Sequence, residues 1–182
     1  TGVQTCALPI LILIAGSVFE SCNKFEDFPD IPAINFENFI VLVNPETGIS
    51  ERGVLVFSYT DGDGDLGLDK GDTLYPYDKN GEYYYNLIIK YYEKQFGTFV
   101  EVPILSWNSD SSYYDTLTFN SRFPVLTPET GNQAIKGVFQ DTLFIYNPLS
   151  QFDTIKFKAL IIDRALNKSN EIETGEIIRL QD

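Results

Sequence analysis

From residue 33 onward, apolar and polar positions alternate in one segment after another. In Arg52–Thr60 one face carries Leu55, Phe57 and Tyr59, and in Tyr83–Lys94 one face carries Tyr83, Tyr85, Leu87, Ile89 and Tyr91. A period of two marks a half-buried strand, because successive side chains point to opposite sides of a sheet. The same pattern, rich in Val, Ile, Phe, Tyr and Thr, predicts strands over Ile34–Val43, Thr98–Leu105, Thr116–Val125, Ile135–Tyr146, Thr154–Asp163 and Ser169–Leu180. No segment sustains a helical period. Gln95-Phe96-Gly97 predicts a short hairpin with Gly97 supplying a positive φ, and Ala165-Leu166-Asn167-Lys168 joins the last two strands. Pro103 and Pro124 cannot donate to a ladder and belong at edges or strand ends. About eight strands without a helix predict an all-β fold, an antiparallel two-sheet sandwich over residues 33–182.

A short pattern recurs as Asp115-Thr116-Leu117, Asp141-Thr142-Leu143 and Asp153-Thr154-Ile155. Its unequal spacing reads as Asp closing a turn through side-chain hydrogen bonds while Thr opens a strand, and not as a duplicated unit. Two longer stretches carry a resemblance. Asp163-Arg164-Ala165-Leu166-Asn167-Lys168-Ser169-Asn170 resembles the final hairpin of bacterial Ig-like domains, and Val54–Asp65, running into Gly62-Asp63-Gly64-Asp65, resembles their early strand ending in an acidic loop. The resemblance implies an Ig-like or fibronectin-III-like sandwich.

The segments ahead of the domain read differently. Residues 1–10 resemble a sequencing-adapter oligonucleotide translated in frame and are set aside as an assembly scar; with no Met in the chain, the sequence reads as a fragment. Leu11–Phe19 is an apolar run too short for a membrane-spanning helix, which needs about 20 residues, and reads with Glu20 and Ser21 as the remnant of a signal peptide over 11–21. Ser21-Cys22 resembles the lipobox of Bacteroidetes-type lipoproteins, which implies Cys22 as the lipidated residue and an outer-membrane address. Residues 22–32, with charges and two prolines, read as the anchor and an extended tether. Glu26 and Asp27 resemble the surface-export signal of that group, which implies display at the cell surface.

Composition narrows the chemistry. The chain has no His, and outside the scar its one thiol is Cys22, which excludes Ser-His-Asp and Cys-His catalysis, His or Cys zinc sites and an internal disulfide. A net charge of −13 repels nucleic-acid phosphate, so no nucleic-acid partner is expected. The chemistry the sequence does offer lies in the loop Asp61–Asp72, where Asp61, Asp63, Asp65, Asp69 and Asp72 occupy positions 1, 3, 5, 9 and 12 among four glycines. Alternate carboxylates in a Gly-rich loop can converge on Ca²⁺, a hard cation that takes six to eight oxygens. Five Asp against Lys70 alone leave a local charge of −4, which solvent or a cation must screen. The spacing resembles EF-hand and thrombospondin-type loops, with Leu66 where an EF-hand has Gly and Asp72 where it has Glu; strand-like flanks argue against an EF-hand. The expected cofactor is a structural Ca²⁺, held first by Asp61, Asp63 and Asp65, then by Asp69, then by Asp72. The competing expectation is a solvated acidic loop.

Exposed aromatics supply a second candidate surface. Tyr84 and Tyr92 share a polar face with Asn86 and Lys90, while Trp107, Tyr113 and Tyr114 flank the polar loop Asn108–Ser112. Such rings could stack on sugars, or they could pack as edge aromatics. The sequence therefore predicts a lipid-anchored, non-enzymatic, structural, adhesive or ligand-presenting module, with the membrane as partner and a glycan or envelope protein as ligand. The alternatives are a carbohydrate-binding accessory protein of a glycan-uptake system and a small carboxylate-dependent glycoside hydrolase, for which no acid pair stands out.

Overall fold

The computed structural model describes residues 27–126, 133–147 and 149–181. Within them the chain forms β1 (Ala33–Val43), β2 (Ser50–Asp61), β3 (Leu87–Gln95), β4 (Thr98–Glu101), β5 (Ile104–Asn108), β6 (Tyr113–Leu117), β7 (Ile135–Phe144), β8 (Thr154–Ile161), β9 (Ile172–Glu173) and β10 (Ile177–Ile178), and no helix. One sheet has the order β1-β2-β7 and the other β10-β8-β3-β4, with β9 also on β8; β5 and β6 form a separate two-stranded ribbon. Every pairing is antiparallel. The expected all-β, two-sheet architecture is present.

The inward rows follow the predicted alternation. Leu55, Phe57 and Tyr59 on β2 face Leu87, Ile89 and Tyr91 on β3 and Ile155, Phe157, Ala159 and Ile161 on β8, all buried in one cluster. Phe39 of β1 stacks on Phe157 across the sandwich at 5.5 Å between centroids, and Phe123 wedges against Phe139 at 4.5 Å and Tyr59 at 5.4 Å. Each fully buried large apolar side chain contributes about 1.5–3 kcal/mol, so these rows fix which face of each strand turns inward.

Strand limits differ from the periodicity in informative places. Tyr83 and Tyr85 precede β3 and lie in a loop. There the buried Asn86 bonds through its side chain to Phe123 N and Ile162 O, and Arg122 Nε donates to Tyr84 O, so side chains tie these segments alongside the isolated backbone pairing of Leu87 with Ser121. Pro103 divides the expected Thr98–Leu105 strand into β4 and β5. The expected Ser169–Leu180 strand is an interrupted edge, β9 and β10, broken where Thr174 Oγ1 accepts the Phe157 N–H at 3.0 Å. Phe96 and Gly97 both have positive φ, 51° and 88°, the geometry of a type I′ hairpin, so the turn asks more of Phe96 than the sequence suggests.

Candidate metal centre

Asp61 is the last residue of β2 and continues its inward row after Leu55, Phe57 and Tyr59. The period of two therefore drives a carboxylate into the end of the core, where it is 0% exposed. The chain then turns back on itself. Gly64 has φ +70°, and a Cβ there would collide with the carbonyl oxygen of Gln133, so only glycine fits. Gly62 N donates to Pro29 O at 2.9 Å, which ties the segment ahead of β1 to the loop.

This fold-back brings Asp61, Asp63 and Asp65 together, with one carboxylate oxygen from each lying within 4.8 Å of the others. Asp61 Oδ2 accepts the Leu66 N–H at 3.0 Å, Asp63 Oδ1 accepts the Asp65 N–H at 3.3 Å, and Asp65 Oδ2 accepts the Ala165 N–H at 2.9 Å. The other oxygens of Asp61 and Asp65, both Oδ1, are buried and have no hydrogen-bond partner among the described residues. Burial pushes the Asp61 carboxyl up to about 7, with Asp63, Asp65 and Asp163 adding repulsion against the opposing Leu66 N–H. Asp65 is likewise raised, by burial first and then by Asp163 and Asp63. Oxygens at these separations match a cation–oxygen distance of about 2.3–2.6 Å around one centre.

Asp69 and Asp72 lie outside this group of three. Asp69 caps its own turn by accepting the Gly71 N–H. Asp72 receives both terminal nitrogens of Arg164, at 2.8 and 2.6 Å, and that guanidinium holds its carboxyl below the usual range. Its charge is thus matched by a partner 92 positions away, which no local spacing rule could signal. Asp163, absent from the sequence-based ligand set, is buried two residues past the end of β8 and accepts Asn167 N at 2.7 Å and Asn167 Nδ2 at 2.9 Å. The two stretches that carry the Ig-like resemblance, the acidic loop and the Asp163–Asn170 turn, meet here through the Asp65–Ala165 bond.

The aromatic candidates divide. Tyr84 is half-buried, with the Arg122 guanidinium 4.6 Å from its ring centroid and Tyr85 edge-on at 4.8 Å. Tyr92 donates to Glu101 at 3.2 Å and lies beneath Lys156 and Lys158 on the sheet. Trp107, Tyr113 and Tyr114 are exposed on the β5–β6 ribbon; Trp107 and Tyr114 are cross-strand partners in edge contact at 5.1 Å, while Tyr113 pairs with Asn108 on the opposite face. Cys22 lies outside the described residues. No family model, curated protein or solved structure matches the chain.

Proposed function

We propose that this chain is a lipid-anchored, non-enzymatic module of the cell envelope, an Ig-like β-sandwich that presents its surface to a ligand and is stabilised by Ca²⁺ at Asp61, Asp63 and Asp65. One observation carries the calcium reading: Asp61 Oδ1 is buried and has no hydrogen-bond partner among the described residues, beside two further carboxylates. An unpaired buried charge is costly, and a hard divalent cation is the partner that an all-oxygen donor set selects. The ion's role is structural, because it offsets the repulsion and orders the long connection between β2 and β3. Ser21-Cys22 supports the anchor, which would hold the domain to a membrane through Cys22. The charge of −13 argues against nucleic acid as a partner.

Calorimetry on the full chain in detergent tests the calcium reading. Ca²⁺ at millimolar concentration should raise the melting temperature above its value in chelator, and Mg²⁺, which prefers a smaller octahedral shell and keeps its waters, should raise it less. A melting temperature indifferent to Ca²⁺ would sink the reading.

A second reading, glycan recognition, is favoured by the exposed Trp107–Tyr114 pair on a projecting ribbon. A glycan array would separate it from a purely structural role, since specific binding abolished by Trp107→Ala is expected of a sugar platform alone.

A further inference from the structure

The calcium reading rests on three carboxylates from one loop, but the neighbourhood contains a fourth. Asp163 lies two residues past the end of β8 of the other sheet, is 2% exposed, and stands at the head of the turn whose Ala165 N–H bonds Asp65. Asn167 fills one position on each of its oxygens. A carboxylate offers about four acceptor sites, so both oxygens keep capacity for a further partner. The nearest guanidinium on that turn, Arg164, is already engaged by Asp72 through two hydrogen bonds. Asp163 lies outside the group of three whose oxygens come within 4.8 Å of one another, but its turn is bonded to Asp65 through the Ala165 N–H, so a fourth buried carboxylate, from a segment some 100 positions away, borders the same end of the sandwich. Mutual repulsion among these carboxylates disfavours the closed arrangement unless a cation lies between.

We infer that Asp163 completes the centre as its fourth carboxylate, so that the ion cross-links the loop after β2 to the turn after β8. This deepens the calcium reading and depends on it. The ion then joins the two sheets at one end, whereas a site built from Asp61, Asp63 and Asp65 alone would order only its own loop. Asp69 and Asp72, which the spacing alone suggests as ligands, are spent on a turn cap and an ion pair.

The test is titration of Ca²⁺ into the chelator-stripped full chain by calorimetry, followed by amide hydrogen exchange. Asp163→Asn should raise the Kd at least tenfold, while Asp72→Asn should leave it within about threefold. A Kd for Asp163→Asn within twofold of the unsubstituted chain would overturn the inference, as would an equal loss in Asp72→Asn, which would mark a general loosening of the loop. Exchange on the unsubstituted chain needs no variant and decides the matter if Asp163→Asn does not fold. Ca²⁺ should protect amides in 163–167 together with those in 61–66, and protection confined to 61–66 overturns the inference while leaving the calcium reading intact. Absence of any Ca²⁺ binding heat in the unsubstituted chain would instead defeat that underlying reading, and the inference with it.

Discussion

Each sheet ends one inward row of apolar side chains with a carboxylate, and the two have opposite fates. On β3 the row Leu87, Ile89, Tyr91 leads to Glu93; on β2 the row Leu55, Phe57, Tyr59 leads to Asp61. Glu93 Oε1 accepts Arg179 Nη2 at 3.0 Å, Tyr91 Oη at 2.8 Å and Asn147 Nδ2 at 3.2 Å, while Oε2 accepts Ser150 Oγ at 2.8 Å. Arg179, 1% exposed, spends its other donors on Ile145 O and Phe152 O. That site is complete within the chain. Asp61 receives one backbone N–H and faces other acids. Burial alone therefore does not mark a functional group; what marks it is burial without a partner, because a chain that can supply an arginine at one end of its core has left the other end short of charge.

The sharpest way to break this contrast is to remove a partner from the complete site. Arg179→Ala should cost about 3–5 kcal/mol in urea or guanidinium unfolding, because it leaves Glu93 buried and uncompensated. The loss should be the same with and without Ca²⁺; a loss that Ca²⁺ repairs would mean the two ends are not independent.

At the incomplete site the sign reverses. Asp61→Asn should abolish the gain from Ca²⁺, which at a hundredfold excess over Kd is about 2.7 kcal/mol. In chelator the same variant should be at least as stable as the unsubstituted chain, since it removes an unpaired charge. Destabilisation in chelator comparable to that of Arg179→Ala would erase the distinction.

A smaller effect concerns pH in the metal-free chain. The folded value of Asp61, about 7, lies above its ordinary 3.8, so between these limits the folded state holds a proton that the unfolded state has released. Its contribution is fully present below pH 3.8 and is lost as the pH rises through about 7. Asp65 and Asp163 are shifted in the same direction, and Asp72, lowered by Arg164, opposes them. Unfolding free energies measured in chelator from pH 4 to 8 should converge on those of Asp61→Asn at the alkaline end less well than at the acid end; parallel curves would contradict the assignment. Smallest of all, Trp107→Ala should change stability by no more than about 0.5 kcal/mol, because the ring is 55% exposed on the ribbon and outside the core cluster.

The period of two suffices to read the two sheets where alternation and burial report the same geometry, as in β2, β7 and β8; in β1 an irregularity between Phe36 and Asn38 moves the inward row from Ile34 to Phe39 and Val41. It misled at Tyr83 and Tyr85, where a loop held by Asn86 and Arg122 mimics strand alternation. It was silent on the broken edge at Thr174, since a side-chain hydroxyl bonding across to β8 has no periodic signature. The convergence of Asp61, Asp63 and Asp65 was legible, because Asp and Gly alternate locally. The assignment of Asp72 depends on Arg164, and the place of Asp163 depends on the meeting of its turn with the acidic loop, neither of which any window along the chain contains. One local cue was available for Asp163: a Val54–Asp65 stretch and an Asp163–Asn170 turn that resemble parts of one domain type invite the question of whether they touch.

The Pro29–Gly62 hydrogen bond has a mechanical consequence. Any pull transmitted along the residues ahead of Ala33 reaches that bond, and the aspartate loop behind it, before it reaches the long ladder between β1 and β2. A cation seated in the loop would then work as a strain relief, stiffening the point where the lead-in to β1 meets the sheet.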